Sequence, residues 1–167
     1  MERGAGNYEQ ARILVEKAHA LTSEDDHATL GRIFHVFAQF ESDHDRWQEA
    51  LSFCQRSLKQ YQKAGNKNRI AHATRHIADL QTALDDFENA EQNYRASIAI
   101  YNAGAQTNPG DLANALAGFG RLLSKIGKAD EAISVWEKTK ALYQQVGLQA
   151  GVDEAEQRLQ HLKGKNS

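Results

Sequence analysis

Histidines are the side chains of this chain that come nearest to the spacing of a metal site. His72 and His76 lie four residues apart, a spacing that places two imidazoles on one side of a helix, where they can bind a divalent cation. His35 and Asp79 would complete such a site if neighbouring helices align. A helix with several His and Arg side chains on one side is more often the polar wall of a binding surface. We therefore predict neither a metal nor a cofactor.

The sequence contains none of the residue patterns that mark common catalytic centres. There is no nucleophile elbow, no glycine loop for phosphate and no HExxH pair. The single cysteine, Cys54, lies at a packing position between apolar neighbours, which favours an inert side chain over a reactive thiol. We predict that the protein is not an enzyme.

Arginine offers a different chemistry, because its guanidinium binds carboxylates through two parallel hydrogen bonds. Arg32, Arg75 and Arg121 occur one in each of the three repeats described below. They predict a locally positive surface that holds an acidic or C-terminal peptide segment. The alternative is that these side chains are solvated or paired with Asp79.

Composition restricts the class of protein that can carry these residues. The formal net charge of −2 over 167 residues gives no global attraction to nucleic acid or to an anionic membrane. One cysteine excludes an internal disulfide and a cysteine-based zinc site. No apolar stretch is long enough for a membrane span or a signal peptide, so a cytoplasmic protein is expected.

A pattern of small and bulky side chains recurs every 39 to 42 residues. An alanine is followed by a packing residue four positions later, a small residue seven positions later and, in three copies, a tyrosine eleven positions later. These offsets trace one face of an α-helix. The alanines are Ala11, Ala50, Ala90 and Ala132; the packing residues are Val15, Cys54, Tyr94 and Trp136; the small residues are Ala18, Ser57, Ser97 and Thr139; the tyrosines are Tyr61, Tyr101 and Tyr143.

A second small residue stands twelve positions before three of the alanines, at Ala38, Ala78 and Gly120. Each repeat is therefore predicted to be two antiparallel helices with a small-residue contact between them. Capping patterns mark helix starts at Asn7, Ser23, Asp45, Asp85 and Asn108. Glycines stand where helices should end, at Gly65, Gly104, Gly127 and Gly147. The predicted helices are 7–22, 26–42, 46–63, 67–83, 86–103, 109–126, 129–146 and 151–163.

This arrangement resembles the tetratricopeptide repeat family, whose repeats carry a small residue in the first helix, then an alanine and an aromatic in the second. The matching residues here are Ala38, Ala78 and Gly120; Ala50, Ala90 and Ala132; and Tyr94 and Trp136. The repeat exceeds the usual length of about 34 residues, as in kinesin light chain and the bacterial peptide-sensing regulators. It also lacks the closing proline of the family pattern. The resemblance implies an all-α fold, a right-handed α-solenoid of antiparallel helix pairs.

We predict one solenoid over residues 1–167, with an N-terminal half-repeat, three full repeats and a capping helix. These segments are 6–22, 26–64, 67–104, 109–147 and 151–163. The half-repeat is either the true start of the array or part of a longer one. Its apolar stripe, formed by Ile13, Leu14, Ala18 and Leu21, favours self-association.

The resemblance implies a concave groove lined by the first helix of each repeat. The candidate binding residues are Arg32, His35, Gln39, His72, Arg75, Asp79, Asn114 and Arg121. Further contacts are expected from Ser42, Thr82, Ala117, Ser124, Glu154, Gln157 and His161. We predict a non-enzymatic protein–protein interaction module that binds a peptide or partner protein there. The alternatives are a sensor domain of a larger regulator that binds a signalling peptide, and a self-associating assembly element. The lysine and asparagine clamp of chaperone-binding relatives is not reproduced, so chaperone binding is not predicted.

Overall fold

The structure is a computed structural model that describes the backbone of residues 2–104 and 107–165 and the side chains of residues 10, 12–104 and 107–164. Within these ranges the chain forms eight α-helices and no strand, which confirms the predicted all-α class. The helices are α1 (Glu2–Leu21), α2 (His27–Ser42), α3 (Trp47–Lys63), α4 (Lys67–Ala83), α5 (Phe87–Ala103), α6 (Pro109–Lys125), α7 (Ala129–Gln145) and α8 (Gln149–Lys165).

The outermost helices differ most from the predicted boundaries. Helix α1 begins at Glu2 rather than at residue 7, so Asn7 lies inside the helix and is not a cap. A cap needs non-helical backbone, whereas the residues before Asn7 continue the helix. Helix α8 begins at Gln149, two residues earlier than expected, and ends at Lys165.

Most turns between helices contain a single residue with positive φ. Gly65, Gly127 and Gly147 have φ of 66°, 79° and 70°, and Asp45 and Asp85 have φ of 58° and 59°. The next residue donates its N–H to a carbonyl five positions back, as from Asn66 to Tyr61 at 3.2 Å. This is the hydrogen bond of a Schellman motif, which closes the end of a helix.

Three of the predicted caps are corrected, two of them by this left-handed conformation. Asp45 and Asp85 end the preceding helix in the left-handed conformation, and the helix-starting positions that follow are Arg46 and Asp86. Before α2 the cap is Asp26 rather than Ser23, and its carboxylate accepts the N–H of Thr29 at 3.0 Å. A short acidic side chain tolerates a left-handed backbone and also caps helices, so its position alone does not distinguish the two roles.

The predicted start of α6 is confirmed. The side chain of Asn108 accepts the N–H of Gly110 at 2.9 Å, and Pro109 occupies the first turn of the helix. Proline is tolerated there because the first N–H groups of a helix have no partner within the helix.

The chain divides into two compact units, which are described separately. Unit 1 runs to Ala73 and unit 2 begins at Thr74, so the boundary falls within α4. In unit 1, the buried side chains Leu30, Ile33, Phe34 and Phe37 of α2 form the core, with Val15 of α1 and Phe53 of α3 packed against them.

Glycines on first helices receive aromatic rings from second helices in both units. In unit 1, a Cβ at Gly31 would lie 2.5 Å from Cε1 of Tyr61. In unit 2, Gly118 lies against Tyr94, Gly120 against Trp136 and Gly151 against Tyr143, each too close for a methyl group. The rings therefore fit into notches where the neighbouring helix carries no side chain.

The small residues of the repeat are buried, as the pattern requires. Ala50, Ala90 and Ala132 have no exposed surface, nor have Ser57, Ser97 and Thr139. The side chain of the fourth alanine, Ala11, lies outside the described residues. Small volume here has a direct physical cause, because adjacent helix backbones approach closely along this stripe.

The left-handed turns lead to a stability prediction. Replacing Asp45 by glycine should raise the free energy of unfolding by about 0.5–1 kcal/mol, because glycine adopts positive φ without the cost that an L side chain incurs. Gly65→Ala is the matched opposite, since a Cβ there would meet no atom within 4 Å and only the backbone strain changes. It should lower the free energy by about 1 kcal/mol. Urea unfolding of both variants checks the two signs, and equal signs would contradict the account.

Candidate functional site

The eight predicted binding residues divide evenly between the units. Unit 1 holds Arg32, His35, Gln39 and His72, and unit 2 holds Arg75, Asp79, Asn114 and Arg121. All lie on the first helices α2, α4 and α6. Each set is described within its own unit.

In unit 1, two of the four residues are exposed and two face each other. Arg32 is exposed and donates from Nη2 to Oγ1 of Thr29 at 3.0 Å, and Gln39 is exposed on the same helix. The half-buried rings of His35 and His72 meet edge to face, with their centroids 4.9 Å apart. The absence of a metal site stays a prediction.

In unit 2, Asp79 joins two helices through both of its carboxylate oxygens. Tyr94 of α5 donates its hydroxyl hydrogen to Oδ1 at 2.5 Å, and Arg75 of α4 donates from Nη1 to Oδ2 at 2.8 Å. Nη2 of Arg75 lies 2.7 Å from Nε2 of His76. Arg75 is therefore paired with Asp79, which is the alternative that the sequence analysis left open.

Burial keeps the hydroxyl of Tyr94 protonated by raising its pKa. Tyr94 is 2% exposed, and this burial, followed by the negative charge of Asp79, raises the pKa of Tyr94 above its ordinary value. A neutral phenol remains a donor to the carboxylate over the whole physiological range. The hydrogen bond from the buried Tyr94 thus orients the carboxylate of Asp79.

Arg121 of α6 forms a two-pronged ion pair with Glu154 of α8. Its Nε and Nη2 donate to Oε1 and Oε2, each at 2.8 Å. The hydrogen bonds from Arg121 are the main reason why the pKa of Glu154 is lowered, and the same bonds raise the pKa of Arg121. The pair lies at the surface, with side-chain exposures of 47% for Arg121 and 29% for Glu154.

Asn114 accepts a hydrogen bond from α7, the second helix of its repeat. Tyr143 of α7 donates its hydroxyl hydrogen to Oδ1 of Asn114 at 2.9 Å, and Asn114 is an exposed residue. Ala117, expected as a further contact, is only 1% exposed and belongs to the core of unit 2, so that expectation was wrong. A helix with 17 residues and nine buried positions has a narrower polar face than the pattern suggested.

These contacts change the electrostatic expectation for unit 2. Both of its predicted groove arginines, Arg75 and Arg121, already hold a carboxylate of the chain. A ligand carboxylate would therefore compete with Asp79 or Glu154. Of the two, Glu154 is the easier to displace, since Asp79 is also bound by a buried tyrosine.

Sequence reasoning missed several charged residues that the structure brings together. On α8, Arg158 lies one turn after Glu154, and Lys125 lies one turn after Arg121 on α6. The four-residue spacing within each helix could have indicated that these charged residues are neighbours. In unit 1, the buried Glu41 pairs with Nε of Arg46 at 2.7 Å, and burial raises the pKa of this carboxyl. No sequence pattern marked that pair.

The contact between Tyr94 and Asp79 predicts a pH-dependent effect. Tyr94→Phe should lower the free energy of unfolding near pH 7 by about 1.5–3 kcal/mol, the range for a hydrogen bond to a charged group. In the unfolded chain tyrosine ionises near pH 10, whereas folded Tyr94 resists ionisation. Its contribution is complete below pH 10 and is lost as the pH rises further.

The difference between wild type and Tyr94→Phe should therefore shrink above pH 10 in urea unfolding measured from pH 7 to 11. Tyr143→Phe is the matched control, because that hydroxyl donates to the neutral Asn114 and its removal should cost only about 0.5–1.5 kcal/mol. Equal losses for the two variants at pH 7 would contradict a charged contact at Asp79.

Within the described residues, no helix combines the length and apolar character that a membrane crossing needs. A comparison with curated protein sequences found no match. Among solved structures, BtubC (BKLC) from P. vanneervenii superposes with a TM-score of 0.73 at 17% identity, over 98% of this chain and 76% of that one.

Two further solved structures extend this likeness. A putative kinesin light chain with nearly identical TPR-like repeats from Podosopora anserina has a TM-score of 0.67 at 14% identity, over 98% of this chain and 90% of that one. The Rap conjugation gene regulator of plasmid pLS20, solved in complex with the Phr* peptide, has a TM-score of 0.70 at 13% identity. That likeness covers 85% of this chain but only 39% of the regulator.

A family model matches part of the sequence. Residues 33–103 match the tetratricopeptide repeat model, and the solved structures show the same fold across nearly the whole chain. Residues 33–103 therefore match the tetratricopeptide repeat family, and nearly the whole chain shares the fold of the solved TPR-like repeats.

Proposed function

We propose that this protein is a non-enzymatic interaction module that binds a peptide or partner protein on the exposed sides of its first helices. The tetratricopeptide fold supports an interaction role. In unit 2 the relevant residues are Asp79, Asn114 and Arg121 on the first helices and Glu154 on the capping helix α8. These polar side chains are oriented by contacts with the second helices and with each other, which reduces the ordering cost of binding.

One observation carries the proposal, the ion pair between Arg121 and Glu154. Both nitrogens of the guanidinium fork already hold a carboxylate at 2.8 Å in the geometry that arginine uses for carboxylate ligands. The pair bridges α6 and α8 and is open to solvent. Glu154 therefore stands where the carboxylate of an acidic or C-terminal ligand would bind.

Exchange of one carboxylate for another at this site is energetically reasonable. Exposed ion pairs contribute only about 0–1 kcal/mol to stability, so a ligand with additional contacts can displace Glu154. Arg32 in unit 1 is exposed and contacts a threonine hydroxyl, which makes it a second candidate for a ligand carboxylate. Arg75 is held more firmly and is better suited to orienting Asp79.

A sensor domain of a larger regulator is the second candidate. It is favoured by the likeness to the Rap regulator that was solved with a peptide bound. In that case a peptide should change the internal dynamics of the units. Hydrogen exchange with and without a bound peptide distinguishes the two, because a simple adaptor should show protection only at contacting residues.

Self-association through α1 is the third candidate. Leu14 and Leu21 are 58% and 88% exposed, and Ile13 is 36% exposed. If this stripe is an interface, Leu14→Gln with Leu21→Gln should convert an oligomer into a monomer in light scattering. A monomeric wild-type protein at high concentration would remove this candidate.

Glu154→Gln tests the main proposal, because it removes the internal competitor and leaves Arg121 in place. The variant should bind acidic peptides more tightly by a few-fold up to about tenfold, which corresponds to about 1.4 kcal/mol. Arg121→Gln should weaken the same binding. Fluorescence anisotropy with an array of peptides that carry free or amidated C-termini and acidic or neutral interiors measures both effects.

Glu156→Gln is the matched control for Glu154→Gln. It lies on the same helix, makes the same charge change and pairs with Lys140 rather than Arg121. Its peptide affinity should equal that of the wild type. If both glutamate variants tighten binding equally, the effect is one of net charge and the carboxylate exchange at Arg121 is wrong.

A further inference from the structure

We propose that unit 2 contains a pocket for an oxyanion, a carboxylate or phosphoryl group, between the C-terminal half of α6 and the last turns of α8. The inference deepens the proposed function by adding a second anchor for a ligand, but the pocket and its test stand independently of peptide binding. Besides Arg121, the pocket is lined by basic side chains that the proposed exchange with Glu154 does not require.

The charge of the pocket lining is one-sided. The lining side chains that carry charge are all basic, and among the described residues none of the lining is acidic. The lining residues are Arg121, Ser124 and Lys125 from α6, Gly127 from the turn before α7, Ala129 from the start of α7, and Arg158, His161 and Leu162 from α8.

Three of these side chains are only weakly compensated by acids of the chain. Nη2 of Arg158 lies 3.7 Å from Oε1 of Glu154, whose two oxygens are already taken by Arg121 at 2.8 Å. His161 is exposed, and no acid pairs with it in the part of the chain that the structure describes. Lys125 contacts Oδ1 of Asp85 at 2.7 Å, yet both side chains are more than half exposed, so this pair is weak.

The size and polarity of the pocket also fit an anionic group on a carbon stem. Its volume is about 510 Å³, whereas a water molecule occupies about 30 Å³ in the liquid. Leu162 and Ala129 provide an apolar side, and Ser124 and the basic groups provide donors. Helix geometry sets the arrangement, since Arg121 with Lys125 and Arg158 with Leu162 are each one turn apart.

The test uses small anions, so that it does not depend on a peptide. Sodium phosphate and sodium acetate are titrated into the wild-type protein at pH 7 and constant ionic strength. The shifts of the His161 ring and of the arginine Nε–H resonances are followed by NMR. The expected result is a saturable shift with a millimolar dissociation constant for at least one anion.

Variants then locate the site. The double variant Lys125→Gln with Arg158→Gln should weaken anion binding at least tenfold. Lys59→Gln with Lys138→Gln is the control, because it removes the same charge from exposed positions outside the pocket and should change the affinity less than twofold. Arg158→Lys keeps the charge but removes the planar fork, and it should weaken binding by an intermediate amount even if the double variant is poorly folded.

The outcomes separate the possible sources of the anion. Saturation by phosphate alone supports a phosphorylated ligand, and saturation by acetate alone supports a chain terminus or acidic side chain. Shifts that do not saturate, or equal weakening by both double variants, would overturn the pocket. In that case tighter peptide binding by Glu154→Gln would still support the proposed function, so the two failures are distinguishable.

Discussion

The fit of an aromatic ring into a side-chain-free notch is the contact on which the rest of this fold depends. Tyr61 against Gly31, Tyr94 against Gly118, Trp136 against Gly120 and Tyr143 against Gly151 repeat it in both units. Protein interiors are close-packed, so an added methyl group in such a notch cannot be absorbed without movement of the ring or the backbone. These notches set how closely first and second helices approach.

The same rings connect the core to the exposed surface of unit 2. Tyr94 packs against Gly118 and donates to Asp79, while Tyr143 packs against Gly151 and donates to Asn114. Each ring therefore has an apolar body in the core and a hydroxyl that holds a polar residue of a first helix. The orientation of these polar residues therefore depends on the packing of the rings in the core.

The sequence predicted what depends on periodicity and missed what depends on the contacts of single side chains. The repeating alanines identified the helices, and the inward positions of Ala50, Ala90 and Ala132 are observed in the structure. Asp45 and Asp85 were assigned as caps, because a left-handed helix end and an N-cap favour the same residue type. The partner of Arg121 was not predictable, since it depends on the relative position of α6 and α8 and the pattern gives no distance between them.

Helix α8 shows why a capping helix need not be chemically inert. Its inner side, with Val152, Ala155 and Leu162 buried, completes the core of unit 2. Another side of the helix carries Glu154, Arg158 and His161, at intervals of four and three residues. This side faces α6, because Glu154 pairs with Arg121 and the other two line the pocket with residues of α6. The acid satisfies Arg121, and the two basic residues extend positive charge beyond it. With the carboxylate of Glu154 beside weakly compensated basic groups, the proposal is that the chain occupies one anion anchor itself and leaves the next one open to a ligand.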